Sequence, residues 1–285
     1  GRHKLDRSLA AGQPFFLNFC HYAVHAPFQA DARFAADYED SGRSPQARAF
    51  ATLVAGVDQS VGDLLQHLED RGIAEQTLII FLGDNGSDAP LGGPHEVACA
   101  APLRGKKGSH YEGGMRAPLI VSWGKVNAAQ ACQQQWPILS GAVQSELTSI
   151  CDLFPTMLDI TEVAVPDEHP MDGQSLRGLL AGKRDSTRKP HFLMHYPHEH
   201  RSSYFTSFRN ERWKVVYHYF PGPQSGGQRY ELFDLQADPF ESTNLAATET
   251  AMLRSMMQAM MAELRACEAV YPQDEEGQAM SPIMP

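Results

Sequence analysis

The chain has 285 residues, 42% hydrophobic and 20% charged, a mix that excludes wholesale disorder, collagen, coiled coil and small disulfide scaffolds. Thirty-four acidic against 24 basic residues give a net charge of -10, which argues against a chain-wide nucleic-acid footprint. No apolar run approaches the ~18 residues a membrane helix needs, and five cysteines, an odd number without a C-x-x-C pair, supply no zinc-ribbon spacing.

The N-terminus, Gly1-Arg2-His3-Lys4-Leu5-Asp6, carries neither Met nor an apolar signal core. Phe15 to Cys20 follows as an abrupt apolar run, read as a short buried strand. A domain that opens this way is expected to have its beginning upstream. From Gln46 to Arg71, Leu53, Val57, Val61, Leu64, Leu65 and Leu68 recur at helical steps of three and four, and Gly72 sits where the helix should stop. Thr77 to Leu82 is continuously apolar, as in a strand buried on both faces. Strand, helix, strand predicts a right-handed crossover and a parallel sheet.

That strand ends in Gly83-Asp84-Asn85-Gly86, a place where open α/β sheets bind ligands. A long loop rich in Gly, Pro and His then leads through Pro102 to Gly114, and a loop of this length inside a compact domain is usually functional. Pro118 to Trp123 reads as another strand, and residues 148–160 as a helix capped by Thr148 or Ser149. Beyond Asp185, four closely spaced strand-like segments, His191 to Tyr196, Tyr204 to Phe208, Trp213 to Tyr219 and Tyr230 to Leu235, predict an antiparallel sheet. Leu253, Met256, Met257, Met260 and Leu264 then mark an amphipathic helix expected to pack on it.

Three groups of residues carry chemistry. Asp84 and Asn85 offer hard oxygens suited to calcium or magnesium, although Asn-Gly is also a strong hairpin-turn signal. Lys106 and Lys107, between glycines, could hold an anion as point charges or could be a solvated pair, and they do not fit a P-loop. His21 and His25 follow the first predicted strand and could be acid, base or structural hydrogen-bonders. Glu112 and Arg116 flank a glycine pair and read as ion pairing that holds the loop.

Taken together and in this order, the segments resemble the C-terminal part of a type I sulfatase of the alkaline phosphatase superfamily. The resemblance rests on His21-Tyr22-Ala23-Val24-His25-Ala26-Pro27, Val57-Asp58-Gln59-Ser60-Val61-Gly62 and Phe81 to Gly86. Its most specific piece is Pro102 to Pro118, including Gly105-Lys106-Lys107-Gly108 and Glu112-Gly113-Gly114. Asp152-Leu153-Phe154-Pro155-Thr156, Leu232-Phe233-Asp234-Leu235 and Asn244-Leu245-Ala246 complete it. It implies a parallel or mixed sheet flanked by helices, incomplete, over residues 1–185, and a small C-terminal α+β domain over 186–285. Asp84 and Asn85 would hold calcium, with magnesium as the alternative. Lys107 would contact the sulfate and His25 would protonate the leaving alcohol. His95, His110, His195 and His198 are expected near substrate, a sulfated small molecule or carbohydrate.

The chain also departs from that pattern. The family's nucleophile is a formylglycine made in a C/S-x-P-x-R motif, and no such motif occurs; Cys99-Ala100-Ala101-Pro102-Leu103-Arg104 has its proline one position late. The expectation is therefore a sulfatase fragment. Its nucleophile and remaining metal ligands would lie in a missing N-terminal half, and the chain alone would be inactive. The rival readings are a phosphodiesterase or phosphonate hydrolase of the same superfamily and a non-catalytic binder of sulfated glycans. The resemblance further implies a periplasmic, secreted or lysosome-like location, and a site where His25, Asp84, Asn85 and Lys107 converge on one sheet edge.

Overall fold

The computed structural model describes residues 2–88, 100–165, 168–199 and 204–285. The described residues divide into two compact units that interleave along the chain: those among 2–81, 88 and 119–140 in the first, and those among 82–87, 100–118 and 141–285 in the second. No helix among the described residues is long and apolar enough to cross a membrane.

In the first unit, α1 (Arg2–Ala10) and α2 (Pro45–Asp70) are joined by ion pairs from Asp6 to His67 and Arg71, both at 3.0 Å. The start of α2 follows from local chemistry. Ser44 is extended, its hydroxyl accepts the Ala47 N–H, and Pro45 opens the first turn, where its missing N–H costs nothing. Gly72, at φ 68°, stops the helix as its sequence position predicts. Leu5 and Leu68 are buried with Ala74, and Phe15 and Ile79 pack against them.

β1 (Leu78–Leu82) pairs with β2 (Leu119–Trp123). Gly124 N–H donates to Thr77 O at one end of this pair and Gly83 N–H to Pro118 O at the other, so the pair is antiparallel. Here the structure corrects the sequence reading: no parallel pair occurs among the described strands, and Phe15 to Cys20 forms no strand. Two physical reasons account for this. Among its described residues, the segment from β1 to β2 contains only the one-turn helix α3 (Glu112–Met115) and no crossover helix that would return the chain in the same direction. Apolar composition also reports affinity for burial, not a hydrogen-bonding partner, and Phe16 is 76% exposed. α4 (Ala131–Gln135) closes the unit. Its Gln133 and the neighbouring Asn127 and Gln130 hydrogen-bond to Glu75.

The second unit continues through α5 (Leu153–Ile160) and α6 (Arg177–Leu180). Ser149 and Asp152 form a reciprocal capping box ahead of α5, and the buried Asp152 also pairs with Arg188 at 2.6 Å. A four-stranded antiparallel sheet follows in the order β3 (His191–Tyr196), β4 (Phe205–Asn210), β5 (Trp213–His218), β6 (Tyr230–Asp234). The expected antiparallel sheet is present, and α7 (Thr250–Ala266) packs on it through Leu253, Met256, Met257, Met260 and Leu264.

Both faces of this sheet are covered. Val215 and Tyr217 of β5, with Phe208 and Leu232, meet α7. Alternation turns Lys214, Val216 and His218 to the opposite face. There Val216, Phe205, Phe233 and Leu235 pack with Tyr111, a residue of the long loop.

Met260 is fully buried and Gln258 is exposed on the same helix. Met260→Ala is expected to lower unfolding free energy by about 2–5 kcal/mol, and Gln258→Ala to stay within about 0.5 kcal/mol, in urea titrations. Equal effects would mean that α7 does not pack as described.

Candidate active site

At the carboxyl end of β1 the chain turns through Asp84, Asn85 and Gly86. Asp84 is exposed, Asn85 half-buried and Gly86 buried. Two backbone bonds fasten this turn to the loop before β2. Gly86 N–H donates to Gly114 O at 3.0 Å, and Lys107 N–H donates to Ser87 O at 2.9 Å. A Cβ on Gly86 would stand 2.1 Å from the Gly113 carbonyl oxygen, so only glycine allows this approach. Asp84, Asn85 and Lys107 are thus gathered in one unit by main-chain contacts.

The loop is anchored in turn by a buried ion cluster. Glu112, at the start of α3, binds the Lys214 ammonium at 3.1 Å and the Arg209 guanidinium. The Glu241 carboxylate takes the same Lys214 at 2.8 Å and accepts the Glu112 N–H at 2.6 Å. Arg104 donates to the Glu241 carbonyl, stacks 3.7 Å over the Tyr111 ring, and accepts the Gly113 N–H on its own carbonyl. Two cations meet two carboxylates, and Lys214 and Glu241 are completely buried. Burial alone would raise the Glu112 carboxyl, but Lys214 and Arg209 outweigh it and hold it below its ordinary range. For Glu241 burial wins and the shift is upward. Glu241 also sits at φ 55°, a left-handed conformation costing ~1–2 kcal/mol that its carboxylate bonds offset. The sequence reading of Glu112 as a loop-holding residue named Arg116 as its companion; its direct partners are Lys214 and Arg209. The signal it missed was a lysine inside an otherwise apolar strand.

A second buried group lies in the same unit. Glu231 accepts hydrogen bonds from His110 Nε2 at 3.1 Å, His218 Nε2 at 2.8 Å and the Tyr111 hydroxyl at 2.9 Å. Burial drives His110 down to about 4, and hydrogen bonds from the two histidines overcome burial to hold Glu231 well below the usual carboxylate range.

The other expected residues are placed as follows. His25 belongs to the first unit, is exposed, and its Nδ1–H donates to the Ala26 carbonyl at 2.7 Å, which leaves Nε2 as its outward nitrogen. His21 holds Ser60 Oγ at 3.0 Å. His110 is 2% exposed, so it is enclosed rather than presented to a ligand in solution. His195 uses both nitrogens internally, on Thr206 Oγ1 and the Val270 carbonyl, each at 2.7 Å. His198 is exposed against Tyr196. His95 lies outside the described residues.

The donor set at the turn suits a hard divalent cation in kind. Asp84 and Asn85 carry oxygen donors on a tightly fixed turn, but two are a minority of the six to eight oxygens that calcium takes.

Comparison with known proteins gives a consistent family. A model described as "Sulfatase" matches residues 3–163, and one described as "N-sulphoglucosamine sulphohydrolase, C-terminal" matches 106–268. Mouse (Mus musculus) steryl-sulfatase is 30% identical over 93% of this chain and 43% of its own length, and human (Homo sapiens) arylsulfatase A is 30% identical over 91% and 51%. N-acetylgalactosamine-6-sulfatase of Canis lupus familiaris is 34% identical over 62% of the chain and 30% of its own length. The chain spans about half or less of these relatives. Among solved structures, Ps i-CgsB superposes with a TM-score of 0.73 at 25% identity, over 92% of this chain and 52% of its own.

The depressed His110 makes a pH prediction. The unfolded state takes up a proton near pH 6.5 that the folded state refuses until about 4. This contribution to stability is therefore complete above pH 6.5 and is lost as pH falls toward 4, with a slope of up to about 1.4 kcal/mol per pH unit. In urea titrations with EDTA present, His110→Gln is expected to flatten the slope between pH 6.5 and 4.5. An unchanged slope would contradict the burial of a neutral imidazole.

Proposed function

The chain belongs to the sulfatase family, and from that premise we propose that it supplies part of the active site of a sulfuric ester hydrolase. The observation that carries this is the joining of the Asp84-Asn85 turn to the Lys107 loop through Ser87, Gly86 and Gly114. In this reading Lys107 binds a sulfate oxygen as a point charge, and Asp84 and Asn85 are two ligands of a calcium ion, or of magnesium. Such an ion, when bound, offsets sulfate charge and polarises its oxygens.

Cleavage of the sulfur–oxygen bond leaves negative charge on the departing alcohol oxygen. His25, with Nδ1–H engaged on a carbonyl, has Nε2 available to hand over a proton at that oxygen. In this reading the nucleophile is a formylglycine on a segment outside these 285 residues, which contain no C/S-x-P-x-R motif. The exposed Phe16, at 76%, and Ile120, at 61%, of the first unit are apolar surface suited to contact with such a segment. Residues 186–285 serve here as the small C-terminal domain.

The relatives' names span a steroid, an aryl ester and an amino sugar, so the proposed substrate class is the group they share, a sulfate ester on a small molecule or carbohydrate. The family resemblance carries an exported or lysosome-like location with it.

The test is an aryl sulfate assay with calcium, using the chain alone and the chain co-expressed with a segment bearing the formylglycine site. Turnover is expected only from the second. Lys107→Ala should cut it at least 100-fold, and His25→Ala should slow poor leaving groups more than good ones. Rapid turnover by the chain alone, lost on Lys107→Ala, would overturn the assignment of the nucleophile to another segment.

A further inference from the structure

The group around Glu231 plays no part in that mechanism. His218 and Glu231 lie on adjacent strands, and His110 reaches them from the long loop. The pairing of Val216 with Glu231 puts His218 on the same sheet face, one diagonal step away. One ring nitrogen each of His110 and His218 and a Glu231 oxygen all lie within 4.8 Å of one another, and all three residues are buried. Both nitrogens face one oxygen, Oε2, while the other, Oε1, is held by the Tyr111 hydroxyl.

We propose that His110, His218 and Glu231 form a site for a divalent transition metal, of which zinc is the best fit. Two imidazoles and one carboxylate are a borderline donor set that suits zinc, cobalt or iron and not calcium. Ligands 2.0–2.1 Å from a tetrahedral ion stand about 3.4 Å apart. The observed 3.1 and 2.8 Å separations therefore need to open only by about 0.3–0.6 Å. The Tyr111 hydroxyl is the outer hydrogen bond that fixes a carboxylate ligand and leaves its second oxygen for the metal.

The ion would tie the loop carrying Lys107 to β5 and β6, a structural role independent of any sulfatase activity.

The full 285-residue chain, stripped with EDTA and refolded with cobalt(II) or zinc(II), tests this. One equivalent is expected to survive gel filtration, with visible cobalt d–d absorption that zinc abolishes and excess calcium leaves alone. Glu231→Gln and His218→Gln should each weaken binding at least tenfold with near-ultraviolet dichroism intact, and Asp84→Ala should not. Should those variants unfold, nitrogen-15 imidazole spectra of the unmutated chain decide: metal-dependent shifts at Nε2 of both histidines support the site. Failure to retain an equivalent, retention unaffected by either substitution, or a His218 imidazolium in the presence of metal would overturn it.

Discussion

The Lys214 ammonium, fully buried between the Glu112 and Glu241 carboxylates, is the contact on which the candidate site depends. A lysine charge cannot be left alone in a low-dielectric interior, and removing one partner of such a pair typically costs ~3–5 kcal/mol. The penalty forces Glu112 to remain where Lys214 is. Glu112 opens α3, and Gly113 and Gly114 follow it directly. Gly114 accepts from Gly86, and Lys107 donates to Ser87. An ion pair between strand β5 and helix α3 thereby sets the position of the turn bearing Asp84 and Asn85.

Sheet geometry explains why one strand can do this. With side chains alternating, β5 gives Val215 and Tyr217 to the methionine face of α7, and Lys214, Val216 and His218 to the loop. The apolar half of the sheet obtains its stability from burial and the polar half from matched charges. Burying both faces makes the part of the loop around Tyr111 and Glu112 a piece of the folded core. The two polar groups on that face, around Lys214 and around Glu231, divide the work: one is neutral overall by ion pairing, and the other concentrates a carboxylate among imidazoles.

Much of this was legible in the sequence, because the signals were local. Helix α2 declares itself through the spacing of Leu53, Val57, Val61, Leu64, Leu65 and Leu68 and its end through Gly72. The strands of the small sheet follow one another closely in the sequence, and Met256, Met257, Met260 and Leu264 fall on one helical stripe. The Asp-Asn-Gly turn and the Lys107 loop could be picked out because their residue types are unusual after apolar strands. What could not be read was pairing. Phe15 to Cys20 has the composition of a strand but pairs with no strand among the described residues, so the crossover expected from it to β1 is absent, and β1 pairs antiparallel with β2 instead. The meaning of Lys214, Arg209 and Glu241 lies in Glu112, about a hundred or more positions away. His110 and His195 looked like ligand-facing histidines by position, yet His110 Nε2 is engaged inside the fold by Glu231, and both His195 nitrogens by Thr206 and Val270.

The central claim is that Lys214 holds the loop and turn together, and amide hydrogen exchange addresses it residue by residue. Lys214→Met is to be compared with a core variant of α7 chosen for an equal loss of global stability. The account predicts that the amides of Gly86, Lys107, Glu112 and Gly113 exchange at least tenfold faster in Lys214→Met than in that reference, while the amides of β4 and β5 exchange alike. Equal exchange of those four amides in both proteins would show that the loop keeps its place without Lys214.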